Sequence, residues 1–283
     1  MKNEINAIRF AALAPAIARI SYVETTRDAD LVDQNNSHVH PECEIYFNVS
    51  GDVSFMVEKR IHPISPGDIV ITRPYEYHHC IYHSDVPHHH YCVLFTPPSD
   101  EHFLPRFFDR KAGEGNLLVT GKSQRDELTE CLERLRAEEL SECERYSVWL
   151  RILTIIESAS GKKSERQVTS EIDTALDFIE KNYTESISVE RLAASVGMSI
   201  NTLERHFRRE IGMSPLAYLK KKRLAHAARM LVDGSSVIEA AVGSGFSDYS
   251  YFIILFKETY GVTPLKYKKK YETPVGASNR AKK

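Results

Sequence analysis

Two sets of residues in this 283-residue chain have types and spacing suited to chemistry. The first is His38-Val39-His40 followed by Glu44, with His78 further along. Alternate residues of a strand point to one side, so the two histidines face the same way. With a nearby carboxylate and a later imidazole they can complete a metal site. The same groups can instead hydrogen-bond the hydroxyls of a small organic molecule. The second set is Asn201, Thr202, Glu204, Arg205 and Arg208, interleaved with Leu203 and Phe207 at the spacing of a buried helical stripe. Asparagine and arginine match adenine and guanine edges, and a glutamate can accept from cytosine N4. That is the chemistry of reading a base sequence.

An internal repeat supplies the elements that must position the second set. At an offset of 49, Leu203 matches Phe252, Phe207 matches Phe256, Arg208 matches Lys257, Gly212 matches Gly261 and Pro215 matches Pro264. Each copy has the parts of a helix-turn-helix. A first helix carries small alanines (Ala193 and Ala194; Ala240 and Ala241), and a glycine turn follows at Gly197 and at Gly243–Gly245. Ser199 and Ser247 are the expected caps of the second helices, and the Gly-x-Ser/Thr-Pro endings stop them. Ser214 and Pro215 open a connecting helix that reaches Val232, about 27 Å long. A spacer of that size holds two recognition helices about one DNA turn apart.

From Ile172 to Lys270 the chain resembles the AraC family of bacterial regulators. The segments LAASVGMSINTLERHFRREIGMSPLAYLKKKRLAHAARML and EAAVGSGFSDYSYFIILFKETYGVTP carry the likeness. The resemblance implies sequence-specific binding to promoter DNA and control of transcription. It places Asn201, Glu204 and Arg205 at base contacts of the first unit. Thr202 beside them, and Tyr249, Ser250, Ile253 and Ile254 on the exposed face of the second helix, are further candidates for base contact. Ser199, Arg208, Ser247 and Lys257 are candidates for backbone contact. At 254 both the repeat, through Arg205, and the family pattern favour arginine, yet this chain has isoleucine. The second unit is therefore expected to grip the backbone and make apolar contact, and sequence preference to concentrate in the first. The basic runs Lys220–Arg223 and Lys266–Lys270 are candidate phosphate contacts, or simply solvated faces.

The front of the chain reads as short strands broken by turns: EIYFNV before Ser50-Gly51-Asp52, VSFMVE after it, and DIVIT after Pro66-Gly67. His38-x-His40, three residues, Glu44, six residues and Gly51 resemble the first cupin motif. The second is degraded: Arg73 replaces the usual proline and Tyr75 the usual glycine, and His78 falls at the ligand place with His79 as its rival. This resemblance, over Ser37–His79, implies a small β-barrel. His38, His40, Glu44 and His78 then line an effector pocket or, if a metal is held, form its shell. The wider family context favours an effector without metal, so no metal and no cofactor are expected. The tract His78, His79, His83, His88, His89 and His90 can bind metal adventitiously or respond to pH. Strict alternation over His88–Phe95 puts His88, His90, Cys92 and Leu94 on one face.

Between Ser123 and Ala159 two helical patterns appear, with Leu128, Leu132 and Leu135 on one and Val148, Trp149, Ile152, Leu153, Ile155 and Ile156 on the other. They either cover the barrel or pair two subunits. Residues 160–170 read as an exposed linker. The expected layout is thus α+β: a cupin-like effector-sensing barrel at 1–122, a helical dimerisation segment at 123–159, the linker, an all-α tandem helix-turn-helix domain at 171–272 and a disordered tail at 273–283.

Charge agrees with this division. Residues 171–283 carry 18 Lys+Arg against 13 Asp+Glu, whereas the first 170 carry 19 against 26. Only the back half is suited to a polyanion. Five cysteines without a CxxC pair argue against a disulfide framework, and the stretch 7–20 is too interrupted for a signal or a span. The expectation is a soluble, cytoplasmic, non-enzymatic homodimer whose partners are promoter DNA and a small effector, with a sugar or related metabolite as the candidate. RNA polymerase is a candidate partner. The rival is a cupin metalloenzyme carrying a DNA-binding appendage.

Overall fold

The computed structural model describes residues 17–25, 39–98, 101–136, 140–162 and 168–271. His38, residues 163–167 and the expected tail at 273–283 lie outside them. Two compact units form, one from 17–25 and 40–162, the other from 168–271.

The first unit contains nine strands: β1 Ile17–Thr25, β2 Cys43–Ser50, β3 Val53–Val57, β4 Arg60–Ile64, β5 Asp68–Thr72, β6 His78–Tyr82, β7 His88–Phe95, β8 Leu117–Val119 and β9 Ser160–Gly161. They make a six-stranded sheet, β1-β7-β2-β5-β8-β9, and a three-stranded one, β4-β3-β6, with antiparallel pairings. The strands β2, β3 and β5 are the three segments expected from their turn signals. Inner-face residues of the two sheets meet in one cluster that includes Tyr46, Val53, Phe55, Val57, Val70 and Leu117. This is the cupin-like barrel.

Period-two alternation gives β2 two different faces. Cys43, Ile45 and Phe47 point outward into a second core, whereas Glu44, Tyr46 and Asn48 point into the barrel. That second core lies beneath α2 (Lys122–Arg136) and α3 (Glu142–Ser158), after a short α1 (Pro105–Phe108). Ser141 starts α3 with a capping box to Glu144. Leu128, Leu132 and Leu135 meet Trp149, Ile152 and Ile156 over the sheet, and Trp149 packs edge-on against Phe95 at 5.1 Å. The two apolar stripes therefore cover the sheet within the chain, and Tyr146 and Leu150 remain exposed on α3.

The expected linker starts too early in the sequence reading. Ser160 and Gly161 pair with β8, and the Lys162 amide donates to the Leu117 carbonyl at 2.9 Å. Two residues of extended backbone suffice to close the sheet edge, which composition could not reveal.

The second unit has seven helices: α4 Ser170–Asn182, α5 Val189–Ser195, α6 Ile200–Ile211, α7 Pro215–Val232, α8 Val237–Gly243, α9 Tyr249–Tyr260 and α10 Pro264–Tyr271. The connecting helix α7 runs over the expected 18 residues with Ser214 as its cap.

Candidate effector pocket and nucleic-acid interface

In the barrel, Glu44 is met by two imidazoles. His40 Nε2 lies 3.0 Å and His78 Nε2 3.1 Å from the same carboxylate oxygen. Each ring also turns Nδ1 to a backbone carbonyl, His40 to Glu42 at 3.0 Å and His78 to Glu76 at 2.7 Å. Burial alone would raise the Glu44 pKa, but His78 and His40 outweigh it and hold the carboxyl well below the usual range. Burial works against the His78 cation too, and the Glu44 charge outweighs that, raising His78. Glu44 and His78 thus form a buried ion pair, with His40 Nε2 against the same carboxylate oxygen. His79, the rival, faces the other side of β6 and lies edge-on to Tyr77 at 5.6 Å.

A cation fits the same donors. The ligand atoms of His40, Glu44 and His78 all lie within 4.8 Å of one another, and carbonyl-bound Nδ1 protons would leave both Nε2 lone pairs free for it. Such an ion would act as a Lewis acid that anchors an effector oxygen. Protons or a metal can satisfy this cluster, so its geometry alone names neither.

Deeper along β2 the chemistry is neutral. His88 donates from Nδ1 to the Ser50 carbonyl at 2.6 Å, which leaves Nε2 to accept from the Tyr46 hydroxyl. Cys80 Sγ donates in turn to Tyr46 at 3.4 Å. Burial, then the neighbouring His88, pushes His90 down to about 3, and burial lowers His88. The His90 ring stacks 4.5 Å from Tyr46 and 4.9 Å from His88. Asn48, opposite His90 in register, is fully buried. Neither its amide nitrogen nor its amide oxygen, nor His90 Nδ1, has a hydrogen-bond partner among the described residues.

The alternation read over β7 holds, since His90 and Cys92 face Asn48 and Tyr46. The six-histidine tract does not gather at one point: His83 meets the Ser54 hydroxyl and His89 that of Ser50. Tyr46 and Asn48 escaped the sequence reading, although counting by twos from Glu44 finds both. Glu76 escaped it as well. Its buried carboxylate takes two arms of Arg110 at 2.6 and 2.7 Å and the amide of Gly113 at 2.8 Å, while its own carbonyl orients His78.

A cleft of about 420 Å³ opens on the other side of the sheet, lined by Tyr22, Phe47, Tyr91, Arg125 and Glu133 among others. Its carboxylate, Glu133, is already engaged by the Tyr91 hydroxyl and by Arg136.

In the second unit, Leu203, Phe207, Phe252 and Phe256 are fully buried, as their spacing predicts. Asn201, Arg205 and Arg208 are exposed on α6, and Thr202 and Glu204 partly so. Glu204 and Arg208 form an i,i+4 ion pair at 3.7 Å. On α9, Tyr249, Ser250, Ile254 and Lys257 are exposed and Ile253 partly so. Ser199 caps α6 by accepting from the Thr202 amide.

The cap of α9 is Asp248 and not Ser247; its carboxylate accepts from the Tyr251 amide at 2.9 Å. The first helices repeat at an offset of 48 and the second helices at 49. The second turn thus holds one extra residue, and Ser247 is exposed in it. The same shift makes Ala193 and Ala241 equivalent, with Ala240 also buried, and leaves Ala194 exposed.

Part of the basic surface is structural. Lys222 pairs with Glu180 at 2.9 Å, Arg223 donates to the carbonyls of Tyr183 and Glu185, and Lys268 to those of Gly234 and Ser235. Lys222 is thus engaged by a carboxylate, and Arg223 and Lys268 by backbone carbonyls that follow α4 and α7.

Comparison with known proteins agrees with both units. A family model described as AraC-like ligand binding domain matches residues 23–145, and one described as helix-turn-helix domain matches residues 192–270. The HTH-type transcriptional regulator YbfI of Bacillus subtilis (strain 168) is 25% identical over 239 residues, 81% of this chain and 86% of that protein. The HTH-type transcriptional activator RhaS of Escherichia coli (strain SE11) is 25% identical over 125 residues, 44% of this chain and 45% of RhaS, so the likeness spans less than half of it. Among solved structures, the DNA-binding domain of AdpA in complex with a target DNA aligns at 32% identity, covering 34% of this chain and 88% of that one with a TM-score of 0.34. No described helix is long and apolar enough to cross a membrane. With an AraC-like ligand-binding domain and a helix-turn-helix DNA-binding domain in one polypeptide, the chain belongs to the AraC family of transcriptional regulators.

Proposed function

We propose that this regulator holds a small, polar, uncharged effector inside the barrel and answers it by changing how its back half engages promoter DNA. The observation that carries the effector reading is the unpaired amide of Asn48 beside the unpaired Nδ1 of His90, both on the barrel's inner face. A buried polar group without a partner costs about 1–3 kcal/mol. A ligand bearing adjacent donor and acceptor groups, as a sugar or related metabolite does, removes that cost. His40, Glu44 and His78, with His38, would meet its more polar end.

On the DNA side, Asn201, Thr202, Glu204 and Arg205 are proposed to contact base edges of one half-site. Tyr249, Ser250, Ile253 and Ile254 contact the next, and Ser199, Arg208, Ser247 and Lys257 the phosphates. A homodimer suits the exposed Tyr146 and Leu150 of α3, and a regulator of promoters in the cytoplasm acts on RNA polymerase. An effector shifts the outcome only if it prefers one arrangement of the protein.

Thermal-shift screening of the full chain against sugars and related metabolites tests the sensing half. A saturable rise in Tm that Asn48→Leu removes supports the reading. A saturable hit that survives Asn48→Leu would place the effector elsewhere.

A further inference from the structure

The recognition helices α6 and α9 correspond residue by residue at an offset of 49, so each reading position on one has a counterpart on the other. Asn201 corresponds to Ser250, Glu204 to Ile253 and Arg205 to Ile254. Ser250, Ile253, Ile254 and Lys257 recur at i, i+3, i+4 and i+7, one face of a helix. The opposite face buries Phe252 and Phe256. Ile254 is 57% exposed.

A single exposed aliphatic residue on a surface is ordinary. Here, however, the two long polar readers of the first helix are both replaced by isoleucine, on the face its repeat keeps polar. Isoleucine exchanges no hydrogen bond with a base edge. The major groove of unmodified DNA offers it one apolar partner, the C5 methyl of thymine. Set against guanine, the same side chain would strip water from N7 and O6 and give nothing back. Lys257, one turn further on, has the charge for a phosphate.

We infer that the second recognition helix is a thymine-methyl reader, with Ile254, and Ile253 beside it, selecting thymine in the half-site it faces. This rests on the proposed DNA-reading role of the two helices. Each methyl group buried against isoleucine changes affinity by about fourfold. The second half-site is accordingly a shallow, thymine-rich preference, beside a sharper preference in the first.

The test uses the full-length protein and a duplex library whose random core spans three DNA turns, about 30 base pairs. Selection with the Arg205→Ala protein marks the half that faces α6, since only that half loses its preference. In the other half, thymine is then replaced by uracil, which lacks only the methyl. The expected result is about a fourfold loss per methyl, with one of these losses gone in Ile254→Ala, and with Ile254→Arg moving the preferred base at that position from thymine to guanine. Because Ile254 is exposed, these variants leave the helix packing intact. Equal binding of thymine and uracil sites, or a thymine preference that is undiminished in Ile254→Ala, overturns the inference while leaving the DNA-reading role in place. A selection that enriches no sequence overturns both.

Discussion

Arg205 and Ile254 occupy the same position of two successive recognition helices, one a long cation and the other an aliphatic side chain 57% exposed to solvent. The helices that carry them are otherwise alike. Each buries a pair of large apolar residues, starts at a side-chain cap and ends at a left-handed glycine, Gly212 or Gly261. Packing has been kept constant while the outward chemistry has changed. The two recognition helices are therefore alike in shape and unlike in the chemistry they expose.

The glycine turns before those helices are also unequal. Gly197 and Gly245 both have positive φ, 66° and 81°. A Cβ on Gly197 would meet open space, but one on Gly245 would lie 2.7 Å from the Thr184 carbonyl oxygen. Gly197→Ala should cost only the backbone strain, about 1 kcal/mol. Gly245→Ala should cost clearly more, because backbone must move. Urea denaturation of the two variants measures this, and equal midpoints would contradict it.

Glu76 should be among the residues on which the barrel most depends. Its carboxylate is 1% exposed and joined to Arg110 in a two-armed ion pair. Removing one partner of a buried pair costs about 3–5 kcal/mol, so Glu76→Ala should lower the barrel's stability by that amount. Arg110 outweighs burial and depresses the Glu76 pKa. The stabilisation is therefore complete above the unfolded value, 4.5, and lost as pH falls through the lower folded one. Acid titration of wild type against Glu76→Gln should show the difference closing below about pH 4.5.

The Glu44–His78 pair titrates from both sides. Glu44 is depressed, so its contribution disappears on acidification; His78 is raised, so its contribution is complete below 6.5 and disappears as pH rises through the folded value. The Tm advantage of wild type over His78→Gln should peak between about pH 5 and 6.5 and shrink toward pH 9. A pH-independent difference would mean that no proton is shared there.

Asn48→Leu should make the effector-free protein more stable by about 1–3 kcal/mol, since it replaces an unpaired buried amide by an apolar group of similar size. A loss of stability on that substitution would show that the amide already has a partner in solution.

Much of this was legible in the sequence, for identifiable reasons. Helical burial has a strong period, so spacing alone places Leu203, Phe207, Phe252 and Phe256 in the core. The cap at Asp248 could not, because a one-residue insertion in the second turn is silent in an ungapped repeat. In the barrel, motif spacing found His40, Glu44 and His78 but passed over Tyr46 and Asn48, which share their face. Glu76 and Arg110 are 34 residues apart, and nothing local announces a partnership made by tertiary closure.

The most direct test of unequal reading by the two helices is base discrimination by the full-length protein on its selected sites, wild type against Arg205→Ala, at fixed salt. The variant should lose discrimination in one half-site only, at a cost on the order of 1–3 kcal/mol, while its salt dependence drops by no more than about one phosphate contact. Unchanged discrimination in both halves, or an even loss across them, would contradict it.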